Sequence, residues 1–313
     1  MAASMQSAAL PTSSASVRAS VQTASGQFAI HDFGGTGPDL LCVHGTGHNL
    51  AVWHPLAAQL RGQFRMVAFD MRGHGQTPVE STDPEQYWRD IGEVIAALGL
   101  HQPLLVGHST GGYAVSAHAA AGGACSGIVI LDGFTLDGRK TPEEAKDWYL
   151  PREQLWDLFR YGWVASAEEM DQYIADVCHL AAGDWLNAGV DPALVAAFTR
   201  RSFMQSGGRW IRRPTMEEIT VVSLPDPLQP IYPAVDLYER ITVPAGFVLA
   251  SGGLYASREA DVMAVVRARP NRFFMRCDCG HNVHMLKAAD IAAFVVCHFS
   301  PNTGGSLPSH KQG

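Results

Sequence analysis

Short apolar runs alternate with longer segments of mixed polarity along most of this 313-residue chain. The strand-length apolar runs are residues 40–43, 65–70, 103–106, 127–131, 243–251 and 273–277. In contrast, residues 85–99 repeat apolar positions at helical spacing and stop at Gly99, a residue typical of helix ends. Strands that are apolar on both faces are typical of a parallel sheet covered by helices. The pattern therefore predicts an α/β architecture with its functional residues at the carboxyl ends of the strands.

One strand-to-helix junction carries a candidate nucleophile. The apolar run at 103–106 leads into Gly107-His108-Ser109-Thr110-Gly111-Gly112, and an alanine-rich, helix-like run follows. Flanking glycines leave room for a serine in a strained turn that exposes its Oγ. The amide of Thr110 begins the following helix and can stabilise an oxyanion in front of Ser109. A serine that only caps the helix in an ordinary turn would give the same short pattern. Other stretches of the sequence are therefore needed to distinguish a nucleophile from a capping residue.

Three further stretches agree with such a nucleophile elbow: Leu40-Leu41-Cys42-Val43-His44-Gly45-Thr46-Gly47, Met66-Val67-Ala68-Phe69-Asp70-Met71-Arg72-Gly73-His74-Gly75, and Cys279-Gly280-His281. With them the chain resembles the α/β-hydrolase fold superfamily over about residues 27–299, and the resemblance is weakest from 137 to 225. It implies a mostly parallel central sheet flanked by helices. It also implies that the amide of Thr46 is the second oxyanion donor. The loop that holds Asp70, Arg72 and His74 is largely architectural in the family, with its Asp and Arg bracing neighbouring loops, so these three residues are assigned no chemistry.

The resemblance further implies a helical cap (residues 137–225) inserted into a core formed by residues 27–136 and 226–300. The cap sequence reads as helical segments near 141–161, 166–181, 191–206 and 213–222, without a clear central strand. Five of the seven tryptophans fall within it: Trp148, Trp156, Trp163, Trp185 and Trp210. Aromatic side chains above a serine favour an apolar pocket, and hence a bulky apolar or aromatic substrate.

A serine hydroxyl needs a base, and a histidine base needs a carboxylate to hold one tautomer. His281 is the predicted base, and the neighbouring His284 is the alternative. The loop 251–257, where family members commonly carry the acid, has no carboxylate. Some members place it after the strand that follows the elbow helix, where Asp132 stands. Asp132 is therefore the predicted acid, with Glu259 and Asp137 as alternatives.

These residues predict a cofactor-independent serine hydrolase that cleaves a carboxylic ester or lactone through an acyl-enzyme. Amide, carbamate or C–C bond hydrolysis and perhydrolysis use the same residues and stay open. Dehalogenase and epoxide hydrolase relatives carry Asp at the elbow, so Ser109 disfavours them. A non-catalytic small-molecule receptor on the same fold is the alternative from another class.

Composition narrows the expected partners. Acidic residues exceed basic ones by 30 to 23, a net charge of −7, and no basic run interleaves with aromatics, so nucleic acid is not expected. No apolar run is long enough to span a membrane. Six scattered cysteines indicate reduced, structural thiols, and neither they nor the pair Cys277 and Cys279 beside His281 predict a metal site. We expect a cytoplasmic protein, and a homodimer stays open.

Both ends of the chain are predicted to be disordered tails, residues 1–26 and 301–313. The first segment is rich in Ala, Ser and Thr and has no acidic residue, which is faintly typical of a transit peptide. It lacks the continuous apolar block of a secretory signal, so we interpret it as a tail.

Overall fold

The computed structural model describes residues 19–146, 156–157 and 159–300. The strands in these residues are β1 (Ser20–Gln22), β2 (Gln27–Gly34), β3 (Asp39–Val43), β4 (Arg65–Phe69), β5 (Leu104–His108), β6 (Gly127–Leu131), β7 (Val164–Ala165), β8 (Phe203–Ser206), β9 (Arg209–Arg212), β10 (Ala245–Gly252) and β11 (Arg272–Gly280).

The α-helices in the same residues are α1 (His54–Leu60), α2 (Gln86–Leu98), α3 (Thr110–Ala120), α4 (Pro142–Lys146), α5 (Ala167–Leu180), α6 (Pro192–Arg201), α7 (Met216–Val222), α8 (Glu259–Arg267), α9 (Val283–Leu286) and α10 (Ala288–Phe299). Short 3-10 helices cover Leu50–Trp53, Ala181–Gly183, Val235–Arg240 and Ala256–Arg258. As predicted, Gly99 ends α2 in the left-handed conformation. None of the helices in these ranges is long and apolar enough to cross a membrane.

The central sheet runs β1-β2-β4-β3-β5-β6-β10-β11 through the described part of the chain. All neighbours from β4 to β11 pair in parallel, whereas β2 pairs antiparallel with β4 and with β1. The predicted mostly parallel sheet is therefore confirmed. Parallel neighbours aim their carboxyl ends at one edge, so the loops after β3, β5, β6 and β11 open on the same side.

Helices cover both faces of this sheet because successive strand residues point to opposite sides. In β3, Leu40 and Cys42 join a core with α1 and α10, while Leu41 and Val43 join a second core with α2, α3 and α8. Strands β5, β6 and β10 divide their side chains in the same way. This two-sided burial is the physical reason for the uninterrupted apolar runs in the sequence.

The N-terminal region differs from the prediction. Residues 20–22, expected to belong to a disordered tail, form β1 and pair with residues 27–29 of β2. Only Val21 of this strand is buried, so the strand leaves almost no hydrophobic signal in the sequence. The remainder of the predicted tail, residues 1–18, and the predicted tail 301–313 lie outside the described residues.

The cap region also contains short strands, which the sequence pattern did not predict. Strands β7, β9 and β8 form a small antiparallel sheet there. The helix expected to reach residue 206 ends at Arg201, because residues 203–206 pair with 209–212. Gly207 and Gly208 connect these strands with φ of +56° and +77°, which a two-residue hairpin turn requires. Trp148 and Tyr149 of the predicted first cap helix lie outside the described residues.

Polar contacts join the cap to the loops that follow β3 and β4. Asn49 donates from Nδ2 to the carbonyl of Phe198 at 2.7 Å, and Arg201 pairs with the buried Asp70 at 2.7 Å. Asp70 also accepts from the amide of Leu50 at 2.8 Å, which is the bracing role that the resemblance implied for this residue. The cap therefore rests on the loops beside Ser109.

Candidate active site

Ser109 lies between β5 and α3 in a strained backbone conformation. Its φ of +53° and ψ of −122° are outside the regions that non-glycine residues normally occupy. Its amide donates to the carbonyl of Leu131 at 3.0 Å, which anchors the turn to the end of β6. This is the backbone geometry of a nucleophile elbow, and strain of this kind is concentrated at functional sites.

Two glycines allow the elbow to form because backbone approaches them closely. A methyl group at Gly107 would lie 2.1 Å from the carbonyl oxygen of Gly111. A methyl group at Gly111 would lie 2.1 Å from the carbonyl oxygen of Val43 on β3. The first turn of α3 therefore packs directly on the strands, which a side chain at either position would prevent.

The structure brings His281 and Asp132 together across 149 residues of sequence. His281 follows β11, and its Nδ1 lies 2.6 Å from Oδ2 of Asp132, which follows β6. Asp132 is fully buried and also accepts from the amides of Ala250 (3.2 Å) and Leu254 (3.1 Å). A carboxylate held by these donors fixes the proton of His281 on Nδ1, which leaves Nε2 able to accept one.

The alternative acids lie elsewhere on the surface. Glu259 pairs with Arg276 at 3.2 Å, and Asp137 pairs with Arg258 at 2.9 Å. Their side chains are 44% and 78% exposed, respectively, whereas Asp132 is buried at the end of the sheet. His284, the alternative base, is buried, and neither of its ring nitrogens has a hydrogen-bond partner among the described residues. Of these candidates, the pair Asp132 and His281 has the geometry of an acid and base.

The two predicted oxyanion residues meet in front of the elbow. The hydroxyl groups of Thr46 and Thr110 are hydrogen-bonded at 2.7 Å. A methyl group at Gly45 would lie 2.9 Å from Cβ of Ser109, so the loop after β3 closes tightly on the serine. Thr110 is the first residue of α3, and an amide at that position has no acceptor within its own helix. The loop after β3 and the start of α3 therefore both adjoin Ser109, as the prediction that their amides are the oxyanion donors requires.

Three histidines, whose grouping was not predicted from the sequence, lie close together beside this pair. The ring centroid of His108 lies 4.6 Å from that of His281, 4.3 Å from that of His284 and 5.7 Å from that of His48. Burial lowers the pKa of His48 to about 3 and holds those of His108 and His284 well below the ordinary value. These rings are neutral at neutral pH. The available sequence signals were a histidine next to the candidate nucleophile and another three residues after the candidate base.

Four cap aromatics pack against one another. Trp163, Tyr173 and Phe203 form a cluster with centroid separations of 5.6–6.0 Å. Trp210 also belongs to this cluster. These side chains hold the small sheet to the cap helices, so the aromatic content of the cap is partly structural.

Three other cap aromatics lie against His281 or against the loop that follows β3. The ring of Trp185 lies 6.5 Å from that of His281 and is half exposed. The ring of Phe198 lies 5.3 Å from that of His48. The hydroxyl of Tyr161 lies so near Gly47 that a methyl group there would be 2.2 Å from it. These three side chains supply an apolar rim with a single hydroxyl.

The central sheet, together with the residues that follow the carboxyl ends of its strands, is typical of one class of hydrolases. The model of the alpha/beta hydrolase family matches residues 40–294, and the chain belongs to that family. The predicted fold is therefore confirmed: a central, mostly parallel sheet flanked by helices, with a small insertion.

Individual relatives are more distant. Protein phosphatase methylesterase 1 of Mus musculus is 32% identical over 166 residues, which cover 44% of this chain and 42% of that protein. The chain thus spans less than half the length of the curated relatives it matches. The structure of E-2-(acetamidomethylene)succinate hydrolase has a TM-score of 0.66 at 21% identity, covering 89% of this chain and 97% of the other. An esterase from Thermogutta terrifontis has a TM-score of 0.61 at 19% identity, covering 88% and 95%. At such identities the structures establish the shared fold alone.

Proposed function

We propose that this protein is a cofactor-independent serine hydrolase that cleaves a carboxylic ester or lactone through an acyl-enzyme. Ser109 is the nucleophile, His281 the general base, and Asp132 the acid that orients it. The amides of Thr46 and Thr110 stabilise the oxyanion. The observation that carries the proposal is the 2.6 Å contact between His281 and Asp132 at the sheet edge where the strained Ser109 emerges.

The reaction follows from these positions. His281 Nε2 takes the hydroxyl proton as Ser109 Oγ attacks the carbonyl carbon, and the resulting oxyanion accepts from the two amides. His281 then gives its proton to the departing alcohol oxygen, which leaves an acyl group on Ser109. Water then enters the position that the alcohol has left. His281 takes a proton from it as its oxygen adds to the acyl carbon, and Ser109 Oγ leaves with that proton.

An ester is favoured over other bonds by the relative named as a methylesterase. The rim of Trp185, Phe198 and Tyr161 favours an apolar group on the substrate. Each methylene that enters an apolar pocket contributes about 0.8 kcal/mol, roughly a fourfold gain in kcat/KM, until the pocket is full. Hydrolysis of amides, carbamates or C–C bonds stays the second candidate because it needs the same residues.

The proposal is tested by replacing Ser109 with Ala and assaying aryl esters, lactones and carbamates. Turnover should fall at least about 10³-fold, by analogy with other serine triads, because nothing else supplies the attacking oxygen. A phosphonate probe should label wild type at Ser109. The matched control is Ser126→Ala, which removes an exposed hydroxyl and should keep both turnover and labelling.

The results also separate an enzyme from a receptor. Labelling that persists in Ser109→Ala would refute the nucleophile. If wild type binds apolar esters but turns over no substrate of any of the three classes, the protein is a receptor on a hydrolase fold and the proposed activity is wrong.

A further inference from the structure

Three histidines converge beside the candidate catalytic pair without belonging to it. His48 comes from the loop after β3, His108 is the last residue of β5, and His284 lies on α9. One ring nitrogen of each lies within 4.8 Å of the others. Residues separated by as many as 236 positions in sequence thus direct their nitrogens to one point.

Four of the six ring nitrogens of these histidines have no hydrogen-bond partner among the described residues. Nδ1 of His48, Nδ1 of His108 and both ring nitrogens of His284 are buried without a hydrogen-bond partner among the described residues. A buried polar atom left unpaired costs about 1–3 kcal/mol, and native proteins satisfy nearly all of them. Unpaired buried nitrogens on all three converging rings indicate a bound species that accepts lone pairs.

The hydrogen bond of His108 fixes which nitrogen is available. Its Nε2 lies 3.1 Å from the carbonyl oxygen of His281, and a carbonyl only accepts, so Nε2 carries the hydrogen. Nδ1 therefore carries a lone pair, and it has no hydrogen-bond partner among the described residues. Metal-bound histidines typically donate their second nitrogen to a carbonyl or carboxylate in this way, which orients the ring.

We propose that His48, His108 and His284 bind one transition-metal dication, with Zn²⁺ as the best-fitting ion. Three neutral imidazoles match the ligands of zinc sites with an open fourth position, which water would fill. Mg²⁺ and Ca²⁺ prefer oxygen ligands, which the cluster does not provide. The ion would tie together the oxyanion loop, the elbow strand and α9.

Ion binding requires a small contraction of the cluster. Zn–N bonds of about 2.0–2.1 Å in a tetrahedral site separate the nitrogens by about 3.4 Å. Because the nitrogens lie within 4.8 Å of one another, they must approach by up to about 1.4 Å. His48 can supply this movement, because it lies on a loop and is less buried than His108 and His284.

The test uses the full chain after treatment with a chelator and dialysis. Titration with ZnCl₂ by calorimetry should give one equivalent per chain, and the ion should raise the melting temperature, since it binds the folded state. Co²⁺ should bind with the visible spectrum of nitrogen ligands and without a thiolate charge-transfer band.

Two variants remove ligands while keeping aromatic packing. His284→Phe retains a ring against Trp53, whose centroid is 4.7 Å away, and His48→Phe retains a ring against Phe198. Each should weaken Zn²⁺ binding at least about tenfold, the lower end of what even outer-sphere changes cost at metal sites.

Two further variants serve as controls. His101→Gln removes an exposed histidine, and Cys279→Ser removes one thiol of the pair beside the site, so both should bind Zn²⁺ as wild type does. The proposal is overturned if wild type binds no stoichiometric Zn²⁺, if both phenylalanine variants bind normally, or if Cys279→Ser abolishes binding. Circular dichroism checks folding; if either Phe variant unfolds, the other decides, and the Co²⁺ spectrum of wild type gives an independent answer.

Discussion

Replacing Asp132 with Asn is a sharp test of the acid, because its carboxylate accepts three hydrogen bonds. Oδ1 accepts from the amide of Ala250, while Oδ2 accepts from the amide of Leu254 and from Nδ1 of His281. An asparagine has only one acceptor oxygen. If that oxygen takes the place of Oδ2, the amide of Ala250 loses its acceptor. If it takes the place of Oδ1, the amide of Leu254 does.

In either orientation the neutral amide no longer stabilises the imidazolium that forms as Ser109 loses its proton. In the second orientation the NH₂ group also donates to Nδ1 of His281. This moves the imidazole hydrogen to Nε2, which can no longer accept the proton of Ser109. In a serine protease the corresponding change lowered kcat about 10⁴-fold, equivalent to about 5.5 kcal/mol of transition-state stabilisation. The orphaned backbone amide should cost a further 1–3 kcal/mol or so of folding stability, which leaves the protein folded.

Two measurements follow these effects separately. Aryl ester turnover from pH 6 to pH 9 should fall about 10⁴-fold in Asp132→Asn, whereas urea unfolding should record only the small stability loss. The matched controls are Glu259→Gln and Asp137→Asn, whose exposed side chains should contribute little to turnover. Near wild-type turnover in Asp132→Asn, together with loss of activity in either control variant, would refute the assignment of the acid.

Two other predictions concern stability. Burial lowers the pKa of three histidines from 6.5 to about 3: His44, His48 and His74. Between these pH values the unfolded chain binds protons that the folded chain excludes. The contribution of the three neutral rings to the free energy of unfolding is therefore fully present above about pH 6.5 and decreases as the pH falls. Each ring should lower the free energy of unfolding by about 2 kcal/mol between pH 7 and pH 5. Equal urea midpoints at the two pH values would contradict this reasoning. Asp90→Asn should lower the free energy of unfolding by about 3–5 kcal/mol. Nε of the fully buried Arg72 lies 2.6 Å from Oδ2 of this carboxylate, so the substitution would leave the arginine with an uncompensated charge. Asp171→Asn at the exposed pair with Arg200 should cost less than about 1 kcal/mol in the same unfolding assay, and similar losses in both variants would disprove the role of burial.

Local chemistry explains why the sequence alone predicted the framework. Apolar runs on both faces require a covered parallel sheet, and glycines on either side of Ser109 permit a strained turn. Both features depend on residues within a few positions of one another, so they can be read before any tertiary contact is known. The position of Asp132 at the end of a strand next to β5 was predictable in the same way, and its catalytic role stays a prediction.

Tertiary structure decided what depends on long-range contacts. Strand β1 buries only Val21, and β8 with β9 replaces the end of a predicted helix, because pairing with neighbouring strands outweighs weak local preference. The histidine cluster is the clearest case. His48, His108 and His284 have no common spacing in sequence, and only the parallel sheet, which gathers the ends of its strands at one edge, brings their nitrogens together.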